Sequence, residues 1–299
     1  MTTPGDLAYK AAMPLVRVAD PDDPRLADYR ELQALGQRSD PRRFIAESEL
    51  VVERLLRSAY PVASVLATES HAARLGPALA ARPEVPVYVG EQAVLRAAVG
   101  FNFHRGVAAC GLRPPAQRWD DMTSETCPLK NVPEDMLMSD TLARPSYTIA
   151  LAQGLCDPAN VGAIIRAARA FAVDLLLLDR RGADPLSRRA IRAAAGNGFA
   201  QAIAGVSDLV ATVERLRGGG ATVLAATLGP RARPLSAVVR PARLAILVGS
   251  EGEGLPDALR AVSDAEVTIP MAPDVDSLGV AAATAILLHA LAGARAPGV

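Results

Sequence analysis

Three short stretches in the second half of the chain combine residue types that can do chemistry. The first is Asn160-Val161-Gly162-Ala163-Ile164-Ile165-Arg166, preceded by Gly154-Leu155-Cys156-Asp157-Pro158-Ala159. Asn160 stands where a loop enters a helix and is suited to cap it. Arg166 lies on nearly the same side of that helix as Gly162 and Arg169, through steps of four and three. Its neighbours Ala163, Ile164, Ala167 and Ala168 are small and apolar, so it is either a solvated helix charge or a guanidinium held out to an anion. The second stretch is Gly249-Ser250-Glu251-Gly252-Glu253-Gly254. Three glycines let bare backbone approach a ligand, while two glutamates oppose a phosphate cradle. They suit a positively charged ligand, or an acid that orients a neighbouring group; a solvent-exposed turn is the simpler alternative. Neither GxxxxGK[ST] nor GxGxxG is present, so the phosphate loop and the dinucleotide fingerprint both fail. The third stretch runs from Ile269-Pro270-Met271 to Ser277-Leu278-Gly279-Val280-Ala281. Pro270 cannot continue a ladder and ends a strand there. The helix expected from about Leu278 is lined with Ala281, Ala282, Ala283 and Ala285, small enough to let another backbone approach closely.

Each stretch needs a strand that ends at it, and the pattern supplies one. Ser146 to Gln153, Val173 to Asp179, Gln201 to Val206, Thr222 to Thr227, Leu244 to Gly249 and Glu266 to Ile269 read as strands. Helices are expected over Val161 to Phe171, Pro185 to Ala195 and Asp208 to Leu216. The run Val-Asp-Leu-Leu-Leu-Leu-Asp at 173–179 marks a strand covered on both faces. Strands alternating with helices predict a mostly parallel α/β sheet, whose ligands bind beyond the carboxyl ends of the strands. A smaller α/β layer precedes it. Strands are expected at Arg43 to Ala46, Val62 to Ala67, Val85 to Val89 and Val107 to Gly111. Helices are expected at Tyr29 to Leu35, Glu49 to Ser58, His71 to Ala81 and Glu91 to Ala98. Pro114 to Ala143, rich in Pro, Asp, Ser and Thr and without a sustained period, reads as a linker or surface excursion. The expected division is 20–113, a linker at 114–143, and 144–299.

With 299 residues and half of them hydrophobic, the chain has ample material for two cores. The formal net charge is zero, so any nucleic-acid site must be a local patch. Lys10 and Lys130 are the only lysines; the remaining basic charge is arginine, whose planar fork suits phosphates and base edges. Cys110, Cys127 and Cys156 form no CxxC pair, which argues against a zinc site or disulfide framework and fits a reducing, cytoplasmic setting. The residues up to Asp20 lack the pattern of a signal peptide. The longest apolar segment, Val280 to Ala294, falls short of the ~20 residues of a membrane span. No metal and no membrane partner are expected.

Taken together and in this order, the three stretches resemble the SpoU (TrmH-type) branch of the SPOUT RNA 2'-O-ribose methyltransferases. The first family motif is similar to Asn160 through Arg166, the second to Gly249, Glu251 and Gly254, and the third to Ile269 to Met271 with Ser277 to Val280. The resemblance extends over about Ser146 to Ala292. Phe44 to Leu56 and Val85 to Gly111 are similar to the ends of the L30e-like substrate-binding domain of larger members, which favours ribosomal RNA over tRNA as target. The resemblance implies a C-terminal SPOUT domain with a mostly parallel sheet and a trefoil knot over Ile269 to Ala292. It also implies a homodimer formed through that knot, with a site built by both chains.

The implied activity is methyl transfer from S-adenosyl-L-methionine to a ribose 2'-hydroxyl. Arg166 is implied nearest the acceptor, where a guanidinium is a poor base but can fix a phosphate and lower the hydroxyl pKa. Asn160 would shape the site and bind RNA or Arg166, and Glu251 would position these groups. Cofactor contacts are implied for Thr227, Leu228, Gly249, Gly254, Ile269, Met271, Ser277 and Leu278. Arg42, Arg43, Arg181, Arg188 and Arg192 are RNA-binding candidates, with Arg38, Arg180, Arg189, His104 and Arg105 behind them. Phe101 and Phe103 are the best pair for base stacking. Two departures stand out: Gly279 and Ala281 replace an asparagine and a serine of the family's third motif. Losing such hydrogen bonds costs ~1–3 kcal/mol where the partner stays buried, which leaves open a weakly active or inactive RNA-binding protein of ribosome assembly, or a tRNA enzyme.

Overall fold

The computed structural model describes residues 15–30, 42–99, 103, 106–113 and 134–292. The chain divides into two compact units, one drawn from Met1–Arg118 with Leu186–Phe199, the other from Trp119–Pro185 with Ala200–Val299.

Along the first unit run β1 (Leu15–Arg17), α1 (Ala27–Arg30), β2 (Arg43–Glu47), α2 (Glu49–Leu56), β3 (Val62–Ala67), α3 (Glu69–Arg74), α4 (Gly76–Ala80), β4 (Val87–Val89), α5 (Gln92–Val99) and β5 (Val107–Leu112). Its five-stranded sheet has the order β1-β4-β3-β5-β2. β5 pairs antiparallel with β2 and β3, and β4 pairs parallel with β3 and β1. The expected single helix at 71–81 is two short ones that meet at Leu75 and Gly76. Pro77 lies in the first turn of the second, where its missing N–H removes no helical bond. Phe44, Tyr60 and Phe199 form a three-ring cluster with centroids 5.6 to 5.7 Å apart.

The second unit continues with α6 (Glu134–Leu142), β6 (Tyr147–Ala152), α7 (Pro158–Ala170) and β7 (Leu175–Asp179). α8 (Arg188–Ala193) falls in the segment grouped with the first unit. Then come β8 (Ile203–Val206), α9 (Leu209–Gly218), β9 (Thr222–Ala226), β10 (Arg233–Pro234), β11 (Arg243–Val248), α10 (Asp257–Ala261), β12 (Ala265–Thr268) and α11 (Val280–Leu291). Every pair in the seven-stranded sheet β10-β12-β9-β11-β6-β7-β8 is parallel. The chain starts in the middle at β6, winds outward through β7 and β8, and returns to the other side through β9. β6 and β7 are buried at every position, as their uninterrupted apolar runs require. A helix, α6, forms inside the stretch that reads as a linker, and its Met138 is wholly buried in this unit's core.

α7 shows how sequence sets a helix's ends. Asp157 is the N-cap: its Oδ1 accepts from the Ala159 amide at 2.9 Å, and Pro158 follows at the first helical position, a pairing that favours helix initiation. Asn160, expected as the cap, sits inside the first turn instead. At the other end the Val173 amide donates to Ala168 O at 2.9 Å and the Ala172 amide to Arg169 O at 3.4 Å, the two bonds of a Schellman motif. The motif places Ala172 at φ 52°, the left-handed region that disfavours a Cβ. Ala172→Gly is therefore expected to raise unfolding free energy by about 1 kcal/mol, measurable as an increased urea midpoint at unchanged m-value. Ala163→Gly, at a mid-helix position, shifts the midpoint the other way.

Candidate functional site

β12, β9 and β11 are neighbours in the sheet, so the loops leaving their carboxyl ends converge. They enclose a cavity of about 470 Å³. Thr227, Leu228 and Gly229 enter it from β9, Gly249 to Leu255 from β11, and Ile269, Met271, Ser277 and Leu278 from β12, while Val280, Ala283 and Leu287 of α11 add an apolar wall. All eight residues put forward for cofactor contact line this cavity.

The β11 loop is folded tightly against itself. The Gly254 amide donates to Ser250 O at 3.0 Å, and Gly254 takes φ +65°, which suits a residue without a Cβ. A Cβ on Gly249 would overlap the Gly254 carbonyl and come within 2.6 Å of Leu255 N. The loop thus closes only with hydrogen at that position and offers the cavity its main chain, with Glu251 and Glu253 exposed at the rim.

Asn160 and Glu251 meet. Asn160 Nδ2 donates to Glu251 Oε1 at 2.7 Å, joining the first and second motifs through side chains 91 positions apart in the chain. Because Asp157 caps α7, the Asn160 amide is free for this role. Glu251 also lies 3.8 Å from the position a Cβ on Gly279 would take. Gly279 is the N-cap of α11 and offers no side-chain cap bond.

The Arg166 side chain is exposed and makes no hydrogen bond or ion pair with the described residues. It is not among the cavity's lining residues. Six residues of α-helix turn it roughly 120° away from Asn160 and carry it about 9 Å along the axis, so one chain does not deliver both side chains to the same place.

A second polar cluster is built around two residues of the lining, Thr227 and Arg260. Thr227 Oγ1 donates to Glu266 Oε2 at 2.7 Å, and Arg260 Nη2 donates to both oxygens of that carboxylate at 3.1 and 3.3 Å. Arg231 Nη2 stands 3.5 Å from Glu266 Oε1. The Glu266 side chain is only 9% exposed, yet its pKa is held below the ordinary glutamate value, chiefly by the Thr227 hydroxyl and also by Arg260. Arg260 is the one basic residue among those lining the cavity. Sequence reading missed it, since it belongs to a five-residue helix and its partner lies on another element. The Arg-x-x-x-x-x-Glu spacing between a helix and the next strand was the available signal.

The arginines proposed for RNA are in different states. Arg42 is exposed, Arg43 is ion-paired with Asp28, and Arg188 with Glu47. Arg181 is exposed and bonds the buried Asp179 at 3.1 Å. The Arg192 side chain is exposed and has no hydrogen bond or ion pair among the described residues. Arg180 Nε reaches Gly205 O at 3.4 Å, and Arg189 is exposed. Phe103 is corrected: it is 2% exposed and packs in the first unit's core, so it has no face for a base. Arg38, Phe101, His104, Arg105 and Cys127 lie outside the described residues. Among the described residues no group of His, Cys, Asp and Glu could hold a metal ion. No described helix is long and apolar enough to cross a membrane.

A parallel sheet with a cavity roofed by three glycine- and proline-broken loops at its strand ends defines an α/β protein built to hold a small ligand on bare backbone. The profile of the SpoU rRNA Methylase family matches residues 148–289, a span containing all three loops. An uncharacterized tRNA/rRNA methyltransferase of Mycobacterium bovis is 34% identical over 279 residues, covering 91% of this chain and 90% of that protein. One of Mycoplasma pneumoniae is 31% identical over 155 residues, 52% of this chain and 64% of its own. Among solved structures, an AdoMet-bound rRNA methyltransferase from Sinorhizobium meliloti superposes with TM-score 0.69 at 23% identity, over 92% of this chain and 97% of that one. An RNA 2'-O ribose methyltransferase does so with TM-score 0.70 at 24% identity, over the same shares. The chain belongs to the SpoU rRNA methylase family and is a methyltransferase.

Proposed function

We propose that this protein transfers a methyl group from S-adenosyl-L-methionine to a ribose 2'-hydroxyl of RNA, with ribosomal RNA favoured over tRNA. The observation that carries the reading is the bare-backbone cavity at the ends of β9, β11 and β12. Its volume and apolar α11 wall suit a nucleoside, and its carboxylates suit a cationic sulfonium. Gly249 and Gly254 would hold the cofactor by main chain, with Thr227, Leu228, Ile269, Met271, Ser277 and Leu278 around it. The cofactor, when bound, supplies an electrophilic methyl. Asn160 holds Glu251 at the rim, so that the carboxylate is oriented before substrate arrives.

The described geometry leaves Arg166 away from its own chain's cavity. That supports a homodimer through the C-terminal knotted segment in which Arg166 of a second copy fixes the acceptor phosphate and lowers the 2'-hydroxyl pKa. Arg42, Arg181 and Arg192 are the exposed arginines we assign to phosphate contacts. The N-terminal unit would serve as the L30e-like RNA-binding part, and the setting would be cytoplasmic. Gly279 favours one second reading. The helix it caps has no side-chain cap bond, and the family's asparagine is absent, as in a protein that binds RNA and has lost transfer.

Calorimetric titration with S-adenosylmethionine separates the two readings. The enzyme binds it, with or without RNA; absence of heat in both conditions sinks the methyltransferase mechanism. Mapping 2'-O-methyl sites in RNA from cells with and without the gene then identifies the nucleotide.

A further inference from the structure

Glu266 has an acceptor-only carboxylate on a side chain only 9% exposed, paired with Thr227 and Arg260, which line the cavity, and its pKa lies below the ordinary glutamate value. Thr227 has a single hydroxyl proton, and it is committed to Glu266 Oε2 at 2.7 Å. A hydroxyl that donates to an anion is left with lone pairs only, and its oxygen is polarised toward greater negative charge. Arg260 fixes the carboxylate from a second side through Nη2. Gly229 keeps the space open: a Cβ there would stand 3.2 Å from both Arg260 Nη2 and Glu266 Oε2. Glu266, Arg260 and Thr227 therefore define the polarity of one side of the cavity.

We propose that Glu266 is a positioning residue that holds Thr227 as an acceptor-only hydroxyl, and that this hydroxyl receives the ammonium of the methionyl part of the ligand. This rests on the cofactor reading of the cavity. A polarised acceptor favours a cationic donor over a neutral one, because charge-assisted hydrogen bonds are the stronger. The hydroxyl itself disfavours a carboxylate or carbonyl, which would face it lone pair to lone pair; the Arg260 guanidinium that also lines the cavity is the group suited to the ligand's carboxylate. Thr227 thus selects an amino-acid-bearing nucleoside over a plain thioether nucleoside.

The test uses the full-length protein and two probes in calorimetric titration: S-adenosylhomocysteine, and 5'-methylthioadenosine, which lacks the ammonium and carboxylate. Thr227→Val is expected to weaken S-adenosylhomocysteine about tenfold or more and to leave methylthioadenosine within about twofold. Thr227→Ser restores wild-type affinity for both, and Glu266→Gln lies between, because its amide can donate back to the hydroxyl. A loosened loop would weaken both probes alike, and that outcome, or no loss of either in Thr227→Val, overturns the proposal. If the wild-type protein binds neither probe, the cofactor reading itself has failed, a result distinct from the first two.

Discussion

Gly249→Ala is expected to weaken S-adenosylmethionine binding by on the order of 100-fold while the protein remains folded. The cause is space rather than backbone strain. The added methyl would overlap the Gly254 carbonyl and press on Leu255 N, and these are main-chain atoms that cannot swing aside as a flexible side chain can. The Ser250–Gly254 bridge must open, which moves the segment expected to meet the cofactor by main chain. Loss of two main-chain hydrogen bonds to the ligand, at about 1–1.5 kcal/mol each, weakens binding by on the order of 100-fold. The same overpacking costs about 1–3 kcal/mol of stability, which a core of this size tolerates. Gly218→Ala, at the end of α9 and outside the cavity lining, is the control: a Cβ there meets nothing within 4 Å, and binding stays within about twofold, as expected for a surface change away from packing. Titration of both variants, with far-UV circular dichroism to verify folding, decides the matter. Wild-type affinity in Gly249→Ala would remove the loop from the cofactor site.

The places where the sequence could be read, and where it could not, follow from the range of the interactions. β7 was legible because four consecutive leucines are buried together, a local pattern with one reading in a parallel sheet. The three loops were legible because glycine and proline act on their own backbone, whatever surrounds them. The choice between Asp157 and Asn160 as cap needed only a closer local reading. Both are good caps, but Pro158 directly after Asp157 marks that position as the start. What Asn160 then does was beyond local pattern, since its partner Glu251 lies on another strand's loop. Arg260 was overlooked for the same reason: neither Thr227 nor Glu266 shares an element with it. Met138 sits in a segment with linker-like composition, and only contact with the core makes it a buried anchor. Phe103 failed in the opposite sense. A phenylalanine between elements looks available for stacking, and only the packed structure shows that α5 and its neighbours have enclosed it.

Arg166→Ala is expected to lower methyl transfer by about 10²–10³-fold, the range for removing one group that stabilises developing charge. Affinity for S-adenosylmethionine and thermal stability should both stay near wild type. The last two expectations follow from what the side chain touches: it is exposed, lies outside the cavity lining and bonds to none of the described residues, so nothing in its own chain is lost with it. Arg166→Lys keeps the charge but not the fork that grips a phosphate through two parallel bonds, so its activity should fall between the two. The proposed division of labour between copies has its own readout. With the cofactor kept well below the weakened Kd, Arg166→Ala and Gly249→Ala chains each have little activity alone, yet a mixed dimer would join the intact cavity of the first to the intact arginine of the second. One site in each mixed dimer then works, and co-expression in equal amounts should return about a quarter of wild-type activity if the dimer is symmetric. No recovery would mean that Arg166 serves its own chain's cavity, through a movement of α7 that brings it there, and undiminished transfer by Arg166→Ala alone would remove it from the reaction.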